Sequence, residues 1–322
     1  MRAIRFHEYG PADVLRLEET PDPVPGADEL LIRVEGAGVS FVEVQIRGGL
    51  MPQVPLPLPF TPGFEIGGTV VAAGPGADQE WVGRRVLALS MAGGGYAELA
   101  VVPAAAVRAL PDGLALDDGL AMLASAPAAI GALDAAAIRP GETVLVEAAT
   151  GAVGGLLVQL AKDAGARVVA AVKGERKLAF AEELGADAVV DYGRPGWDDE
   201  VRKAAGGDVA VVFETVGGEV ARTAFGLLAP GTGRMIIYGT AGGTPPELDV
   251  AGILNRGLTV RGFASVLLPP AEVAALQDRA FAYAADGRIK AVTGVVLPLA
   301  EAAAAHRAYE ERTTIGKTVL RP

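Results

Sequence analysis

Short apolar runs alternate with amphipathic helical segments through the middle of the chain. An apolar run over 143–147 is followed by a glycine-containing turn over 148–154 and then by an amphipathic helix that continues to residue 162. Further apolar runs cover 166–172, 188–191, 209–214 and 233–239, with a helix over 175–185 after the first of them. This alternation is typical of a doubly wound parallel sheet. The sequence therefore predicts an α/β domain over residues 125–260.

Residues 1–124 have a different pattern, in which Gly and Pro separate short runs of β type. These runs cover 3–6, 30–34, 67–72, 85–89 and 96–102. Strands of this length between turn residues predict a compact, barrel-like β domain.

The part of the chain after residue 260 has mixed structure and is too short for a domain of its own. Helices are expected over 270–286 and 299–309, and strands over 292–297 and 317–320. We therefore assign residues 261–322 to the first domain, together with 1–124. The cleft between the two domains is then the expected ligand site.

The turn over 148–154 predicts a binding site for a nucleotide pyrophosphate. A strand, a glycine-containing turn and a helix together place free backbone N–H groups and the positive end of a helix dipole beside an anion. Gly151 would let the backbone approach the phosphates, and Gly154 would let the helix pack close to the strand. Ala149 occupies the usual position of the first glycine, so the turn must accommodate a methyl group. The alternative is a glycine turn in an α/β protein that binds no nucleotide.

The amino-acid composition limits which partners and which metal sites the protein can have. The chain has 322 residues, a formal net charge of −11, no cysteine, and two histidines, His7 and His306. The negative charge and the scattered basic residues argue against nucleic acid as a partner. Without cysteine, and with one histidine near each end, the sequence supplies no zinc site. No apolar run is long enough for a transmembrane helix and the N-terminus is not a signal peptide, so we expect a soluble cytoplasmic protein without a membrane partner.

Six segments together carry a family resemblance that runs nearly end to end. They cover 39–49, 62–68, 83–86, 94–98, 148–154 and 316–320. The chain resembles the medium-chain dehydrogenase/reductase superfamily, in its zinc-independent quinone oxidoreductase (zeta-crystallin-like) branch. Zinc-dependent relatives have Gly-His-Glu where residues 63–65 read Gly-Phe-Glu. The resemblance implies a GroES-like first domain and a Rossmann second domain.

The resemblance also implies the reaction class. Without zinc to polarise an oxygen, hydride transfer to a conjugated acceptor is favoured, because the conjugation of the acceptor spreads the developing charge. A quinone or an α,β-unsaturated carbonyl has this property. The implied partner is therefore a small hydrophobic electron acceptor.

The end of the second strand of the α/β domain favours NADPH over NADH. Folds that select NAD place Asp or Glu there to bind the ribose hydroxyls, whereas this chain has Lys173, Arg176 and Lys177. Cations favour a 2′-phosphate through charge-assisted hydrogen bonds. The resemblance adds Tyr192 to Lys177 as a phosphate ligand, and Glu175 opposes the phosphate if it points inward. The alternative is a solvated helix start without a ligand.

Further cofactor contacts follow from the resemblance alone, and ordinary packing at strand ends is the alternative for each of them. These expected contacts are Thr150, Gly151, Ala152, Val153, Gly154, Thr215, Val216, Tyr238, Gly239, Phe263 and Lys317.

At the nicotinamide the family pattern runs Asn-x-x-Asp, then Arg, then Tyr, and this chain has Ser40, Glu43, Arg47 and Met51. The resemblance places these four residues in the acceptor pocket. For Glu43 and Arg47 the alternative is a surface ion pair between positions i and i+4. Met51 replaces the tyrosine that is the proposed proton donor of enoyl-thioester reductases, and a thioether cannot give a proton.

No side chain is identified as a general acid. Ala128 replaces a threonine of some relatives, so the pocket is more apolar than the family pattern. This favours a hydrophobic acceptor that takes its proton from solvent. Tyr96 is the nearest candidate donor by residue type, but its position at a strand start favours a structural role.

An NADPH-dependent reductase is the leading hypothesis, and two alternatives stay open. One is an enoyl-thioester reductase, against which Met51 counts. The other is a non-catalytic NADPH-binding or structural protein, since some relatives serve as lens crystallins. By resemblance the subunits pair through the strand over 258–262, because an apolar edge strand needs covering, and we expect a homodimer.

Overall fold

The structure is a computed structural model that describes residues 1–322 and divides them into two units. Unit 1 consists of Met1–Ala124 and Thr293–Pro322, and unit 2 consists of Ser125–Val292. In Met1–Ala124 the elements are β1 (Arg2–Arg5), β2 (Arg16–Glu19), β3 (Glu29–Gly38), α1 (Phe41–Arg47), β4 (Glu65–Ala73), β5 (Arg85–Leu89), β6 (Leu99–Pro103), β7 (Val107–Ala109) and α2 (Leu116–Leu123).

Unit 2 and the last segment of unit 1 supply the remaining elements. Those of unit 2 are α3 (Ser125–Ala136), β8 (Thr143–Glu147), α4 (Ala152–Asp163), β9 (Arg167–Val172), α5 (Glu175–Glu183), β10 (Ala188–Asp191), α6 (Trp197–Ala205), β11 (Val211–Glu214), α7 (Gly218–Gly226), β12 (Arg234–Ile237), α8 (Val250–Arg256), β13 (Thr259–Gly262) and α9 (Pro270–Ala285). Those of Thr293–Pro322 are β14 (Thr293–Pro298), α10 (Ala302–Glu310) and β15 (Lys317–Arg321).

The second boundary between the units lies after Val292, whereas the sequence places it after residue 260. The reason is helix α9, which packs against α3 within unit 2. Arg279 of α9 also pairs with Asp134 of α3, with Nη1 and Oδ2 2.6 Å apart. A mixed helix-and-strand pattern cannot show which neighbour a helix packs on, so the sequence assigns residues 261–292 to the other unit.

Unit 1 is built on a seven-stranded sheet that the two ends of the chain complete together. The strand order is β14-β15-β3-β4-β5-β7, with β6 also paired to β3. Strand β15 pairs antiparallel with β3, so the C-terminal segment adds two strands to the N-terminal sheet. Alternate residues of β3, Leu30 and Ile32 among them, are fully buried against Ile66 and Val86.

Unit 2 is a six-stranded parallel sheet with the order β10-β9-β8-β11-β12-β13. The chain runs outward from β8 to β10 and then returns to β11 on the other side of β8. This reversal is the topological switch point at which open α/β sheets bind ligands, beyond the carboxyl ends of the strands. The fully buried residues Leu145, Val169, Val212 and Met235 fill the core. The predicted doubly wound sheet is confirmed.

The sequence pattern does not predict helices α2 and α3. Both are mostly buried, and the buried residues of α3 run from Ser125 to Gly131 with a single interruption, so no apolar stripe marks one face. A helix that is apolar all round lacks the period that identifies an amphipathic helix. No single helix of the chain is both long and apolar enough to cross a membrane, and α2 and α3 pass that test only when taken together across their break.

Candidate functional site

Two alanines, Ala148 and Ala149, form the first part of the turn after β8. Ala148 adopts a positive φ of 46°, which a residue with a side chain rarely does. Ala149 is fully buried, so its methyl group is packed inside unit 2. The N–H of Gly151 donates to the carbonyl of Ala148 at 2.9 Å and closes the turn. The turn therefore accommodates the methyl group that replaces the first glycine.

Helix α4 begins without a side-chain cap. Its N-cap residue is Gly151, in extended conformation with no side-chain hydrogen bond. The first bond of the helix runs from the N–H of Gly155 to the carbonyl of Gly151 at 2.8 Å. The N–H groups of residues 152–154 thus precede the helical ladder and carry the positive end of the helix dipole. This arrangement suits an anion.

Gly154 explains how the helix approaches the turn so closely. A Cβ atom at this position would lie 2.3 Å from the carbonyl oxygen of Ala148, well inside van der Waals contact. At Gly151 the same atom would be 3.3 Å from that oxygen. Gly154 is therefore required by the packing of helix against turn, whereas Gly151 leaves open backbone at the helix start.

Basic side chains and a tyrosine gather at the ends of β9 and β10. The parallel register pairs Asp191 with Val172, so Lys173 and Tyr192 follow neighbouring strand ends. Lys173 is exposed and Lys177, in the first turn of α5, is partly buried. The Tyr192 ring packs edge-on against Trp197, with centroids 6.5 Å apart. The structure therefore places the predicted phosphate ligands at or near the carboxyl ends of β9 and β10, which we call the basic edge of the sheet.

Four more of the predicted contacts meet at the carboxyl ends of β11 and β12. The N–H groups of Thr215 and Val216 point at Oε2 of Glu147, at 3.5 and 3.2 Å. The Tyr238 hydroxyl donates to the carbonyl of Glu147 at 3.2 Å. A Cβ atom at Gly239 would lie 2.4 Å from Oγ1 of Thr215. These residues therefore pack closely around the end of β8, at the switch point.

Phe263 follows β13 and packs its ring on α3. A Cβ atom at Gly131 would lie 2.0 Å from the ring atom Cζ of Phe263. The absence of a side chain at Gly131 thus makes room for the ring, and Phe263 is held half-buried in unit 2.

Two buried glutamates, which the sequence analysis does not single out, lie beneath the switch point. Glu147 ends β8 and Glu214 ends the neighbouring strand β11, and both are fully buried. Each has one carboxyl oxygen without a hydrogen-bond partner, Oε1 of Glu147 and Oε2 of Glu214. Burial, with the nearby charge of Glu214, raises the pKa of Glu147 to about 8. Burial raises the pKa of Glu214 to about 7.

The raised pKa of Glu147 reduces the negative charge beneath the start of α4. A carboxyl group with a pKa of about 8 is mostly neutral at neutral pH, so Glu147 would not strongly repel an anion nearby. The signal in the sequence is a Glu at the end of an otherwise apolar strand, which periodicity alone does not distinguish from a solvated strand end.

In unit 1 the predicted residues Ser40 and Glu43 form a capping box at the start of α1. Oε2 of Glu43 accepts the N–H and the hydroxyl of Ser40, both at 2.9 Å. Oε1 accepts the N–H groups of Gly63 and Phe64 at 2.7 and 3.0 Å. Four donors thus hold this buried carboxyl group between α1 and the chain before β4. Ser40 itself stays half-buried.

The alternative interpretation of Glu43 and Arg47 as a surface ion pair is wrong. Arg47 is 1% exposed, and its guanidinium donates to the carbonyl of Gly10 and to the carboxylate of Glu310 on α10. Glu43 binds Ser40, Gly63 and Phe64 instead. The two side chains are therefore four positions apart on α1 but do not share an ion pair. Met51 packs half-buried against the apolar cluster of unit 1 that includes Ile46.

Lys317 lies in a buried ion pair. Its Nζ atom is 2.5 Å from Oε1 of Glu65, and both side chains are at most 5% exposed. Gly38 of β3 lies between the two strands, paired with Val319 on one side and Glu65 on the other. A Cβ atom at Gly38 would be 3.1 Å from Cβ of Glu65, so the glycine leaves space for this side chain.

The two histidines and Tyr96 have structural partners in unit 1. His7 is paired with Glu18 at 2.8 Å on the surface. Buried His306 lies with Nε2 3.2 Å from the hydroxyl of Tyr96. Burial, with the nearby charge of Arg47, lowers the pKa of His306 to about 3, and burial raises the pKa of Tyr96. No group of three or more His, Cys, Asp or Glu is placed to hold a metal ion.

Removing Lys317 should destabilise the protein strongly, because Glu65 would stay buried without a counter-ion. We expect Lys317→Met to lower the free energy of unfolding in urea by about 3–5 kcal/mol. The control is Lys162→Met, which breaks a partly exposed pair with Asp187 and should cost at most about 1 kcal/mol. Equal costs for the two variants would contradict the assignment.

The pKa of Glu147 makes stability depend on pH in a defined direction. The folded-state value of about 8 is above the ordinary 4.5, so the folded protein holds a proton that the unfolded chain releases. The stability linked to this group is complete below pH 4.5 and is lost as pH rises to about 8. We expect Glu147→Gln to make the measured fall in unfolding free energy with pH clearly smaller, and Glu214, whose pKa is raised to about 7, to account for part of the fall that stays.

Exposed Glu183 on α5 provides the control. Glu183→Gln changes the same charge at the surface and should leave the wild-type pH dependence intact. A Glu147→Gln variant with the same pH dependence as the wild type would show that Glu147 is ionised in the folded protein.

Comparison with known proteins gives the family. Residues 26–112 match the model of the alcohol dehydrogenase GroES-like domain, and residues 152–281 match that of the zinc-binding dehydrogenases. The quinone oxidoreductase of Sus scrofa is 31% identical over 324 residues, which cover 99% of this chain and 97% of that protein.

Two solved structures are similar over their full length. The quinone oxidoreductase of Thermus thermophilus, described with its NADPH complex, is 36% identical, with a TM-score of 0.83 and full coverage of both chains. A structure described as an NAD-dependent alcohol dehydrogenase is 31% identical, with a TM-score of 0.87 and full coverage of both chains. The chain belongs to the medium-chain dehydrogenase/reductase superfamily, in its quinone oxidoreductase-like branch.

Proposed function

We propose that this chain, an oxidoreductase by its family, is an NADPH-dependent reductase of quinones or α,β-unsaturated carbonyls. The observation that carries the proposal is the uncapped start of α4 beside the basic strand ends of β9 and β10. The similar Thermus thermophilus protein is described in complex with NADPH, which supports the same cofactor here.

The residues of unit 2 fit a dinucleotide. The open backbone at Gly151 and the N–H groups of residues 152–154 would bind the pyrophosphate. Thr215, Val216, Tyr238 and Gly239 lie around the switch point, where the nicotinamide half would be held. When bound, NADPH supplies a hydride. The protein orients the dinucleotide. Because burial keeps Glu147 mostly protonated, this side chain does little to repel the negative charge of the phosphates.

The choice of NADPH over NADH rests on this chain's own residues, since one similar structure is described as NAD-dependent. Strand β9 ends without a carboxylate, and Lys173 takes the position from which Asp or Glu would bind the ribose hydroxyls. Lys177 and Tyr192 lie at the same edge and add a cation and a hydroxyl group. A 2′-phosphate would gain hydrogen bonds from these groups that a ribose hydroxyl does not match.

In unit 1, Ser40 and Met51 are the candidates for contact with the acceptor. Both are half-buried, whereas Glu43 and Arg47 are at most 2% exposed and bind protein partners through the carboxyl group of Glu43 and the Nη1 and Nη2 atoms of Arg47. We therefore assign Glu43 and Arg47 to holding α1 in place. Met51 has no proton to give, and the hydroquinone anion formed when a quinone accepts a hydride takes its proton from solvent.

Purified protein should oxidise NADPH in the presence of a quinone or an enone, faster than it oxidises NADH. Prior treatment with a chelator should leave the rate unchanged, because none of the predicted steps uses a metal. The measurement is the loss of reduced-nicotinamide absorbance over a panel of quinones, enones and enoyl thioesters.

The other outcomes of this assay separate the alternatives. Turnover of enoyl thioesters alone would support an enoyl-thioester reductase despite Met51. Tight NADPH binding with no acceptor reduced would support a non-catalytic binding protein. Loss of activity with the chelator would contradict the metal-independent mechanism.

We also propose a homodimer built on the edge strand β13. This strand ends the sheet order of unit 2. Near it in sequence, Val250 and Leu254 on α8 are 75% and 82% exposed, and Val266 and Leu267 are 67% and 84% exposed. An unpaired edge with apolar neighbours favours pairing with a second copy.

Sedimentation should show a dimer for the wild type and a monomer for Leu254→Asp. The control is Val24→Asp, which places the same charge at an exposed apolar position of unit 1 and should leave the dimer intact. A monomeric wild type would contradict this assignment.

A further inference from the structure

Arg194 lies directly after β10 and reaches two carboxylates. Its Nε atom is 3.5 Å from Oδ2 of Asp191, and its Nη2 atom is 4.0 Å from Oε1 of Glu175, the first residue of α5. The Arg194 side chain is 58% exposed and that of Glu175 is 92% exposed. Long contacts between exposed charges are weak, so the guanidinium can exchange its Glu175 contact for a better acceptor.

The carboxylate of Asp191 holds together two pieces of backbone near Arg194, one after β9 and one after β10. The residue is 9% exposed, and its Oδ1 accepts the N–H of Gly193 at 2.8 Å while Oδ2 accepts the N–H of Gly174 at 3.3 Å. A Cβ atom at Gly193 would lie 3.2 Å from Cγ of Lys173, so the Lys173 stem runs along this backbone. The segment after β9 and the segment after β10 are therefore held together.

The arrangement adds a fork-shaped cation to the edge that carries Lys173 and Lys177. A guanidinium can bind a phosphate through two parallel N–H bonds, which an ammonium group cannot do. Glu175 has the opposite effect, because its carboxylate carries the same sign of charge as the phosphate. It also occupies the start of α5, where the helix dipole would otherwise favour the phosphate. A dianionic phosphate at this edge would gain from Arg194 and be repelled by Glu175.

We propose that Arg194 is a further ligand of the 2′-phosphate of NADPH and that Glu175 opposes the same group, so that the pair adjusts the preference for NADPH over NADH that Lys173, Lys177 and Tyr192 provide. This inference rests on the proposed NADPH-dependent function and adds two specificity-determining residues to it. Neither residue touches the reacting atoms, so the effect is confined to cofactor choice.

The test is calorimetric titration of the full chain with NADPH and, separately, with NADH. Arg194→Gln should raise the Kd for NADPH about tenfold, the effect of one charge-assisted hydrogen bond, and leave the Kd for NADH unchanged. Glu175→Gln should lower the Kd for NADPH about threefold. The control is Arg202→Gln, which removes an equally charged side chain from the last turn of α6 and should change neither Kd.

The outcomes separate the inference from the function on which it rests. A wild type that prefers NADPH, with a preference that Arg194→Gln leaves intact, would overturn the inference and leave the proposed function standing. A wild type that binds neither dinucleotide, or that prefers NADH, would overturn both. An unchanged Kd for NADH in Arg194→Gln shows that this variant is folded.

Discussion

Helix α4 begins with backbone N–H groups that no side chain caps, one short turn after strand β8, of which all residues but Thr143 are buried. The conformation and packing of the neighbouring residues of unit 2 serve this uncapped helix start. Ala148 takes a positive φ to turn the chain, Gly154 lets the helix meet the turn, and the strand order reverses at this point. An anion at the helix start gains the unpaired N–H groups and the dipole together. The rest of unit 2 holds this backbone in place and supplies the charges around it.

The charges near the start of α4 are less negative than the net charge of the whole chain would suggest. The net charge is −11, and acidic side chains would ordinarily repel a dinucleotide. At the switch point the two acidic residues are buried, and burial raises the pKa of Glu147 to about 8 and that of Glu214 to about 7. At the ends of β9 and β10 the lysines and Arg194 provide positive charge, at the place where the proposed dinucleotide would present its adenosine ribose. Unit 2 thus combines buried glutamates of reduced negative charge, beneath the switch point, with basic side chains at the ends of β9 and β10.

Much of unit 2 could be predicted from the sequence, because short apolar strands and a glycine turn are local signals. The chemistry of unit 1 could not. The spacing of Glu43 and Arg47 suggests a local ion pair, but Arg47 pairs with Glu310, 263 positions away, and Lys317 pairs with Glu65. Such partners are set by how β15 and α10 return to the first sheet, which periodicity does not record. For the same reason, the contact of α9 with α3 moves the unit boundary to residue 292.

The most direct test is amide hydrogen exchange at the start of α4, with and without saturating NADPH. The N–H groups of residues 152–154 have no helical partner of their own and should exchange fast in the free protein. If they bind the pyrophosphate, NADPH will slow their exchange while leaving α6 unchanged. Exchange at these residues that is the same with and without NADPH would contradict the account.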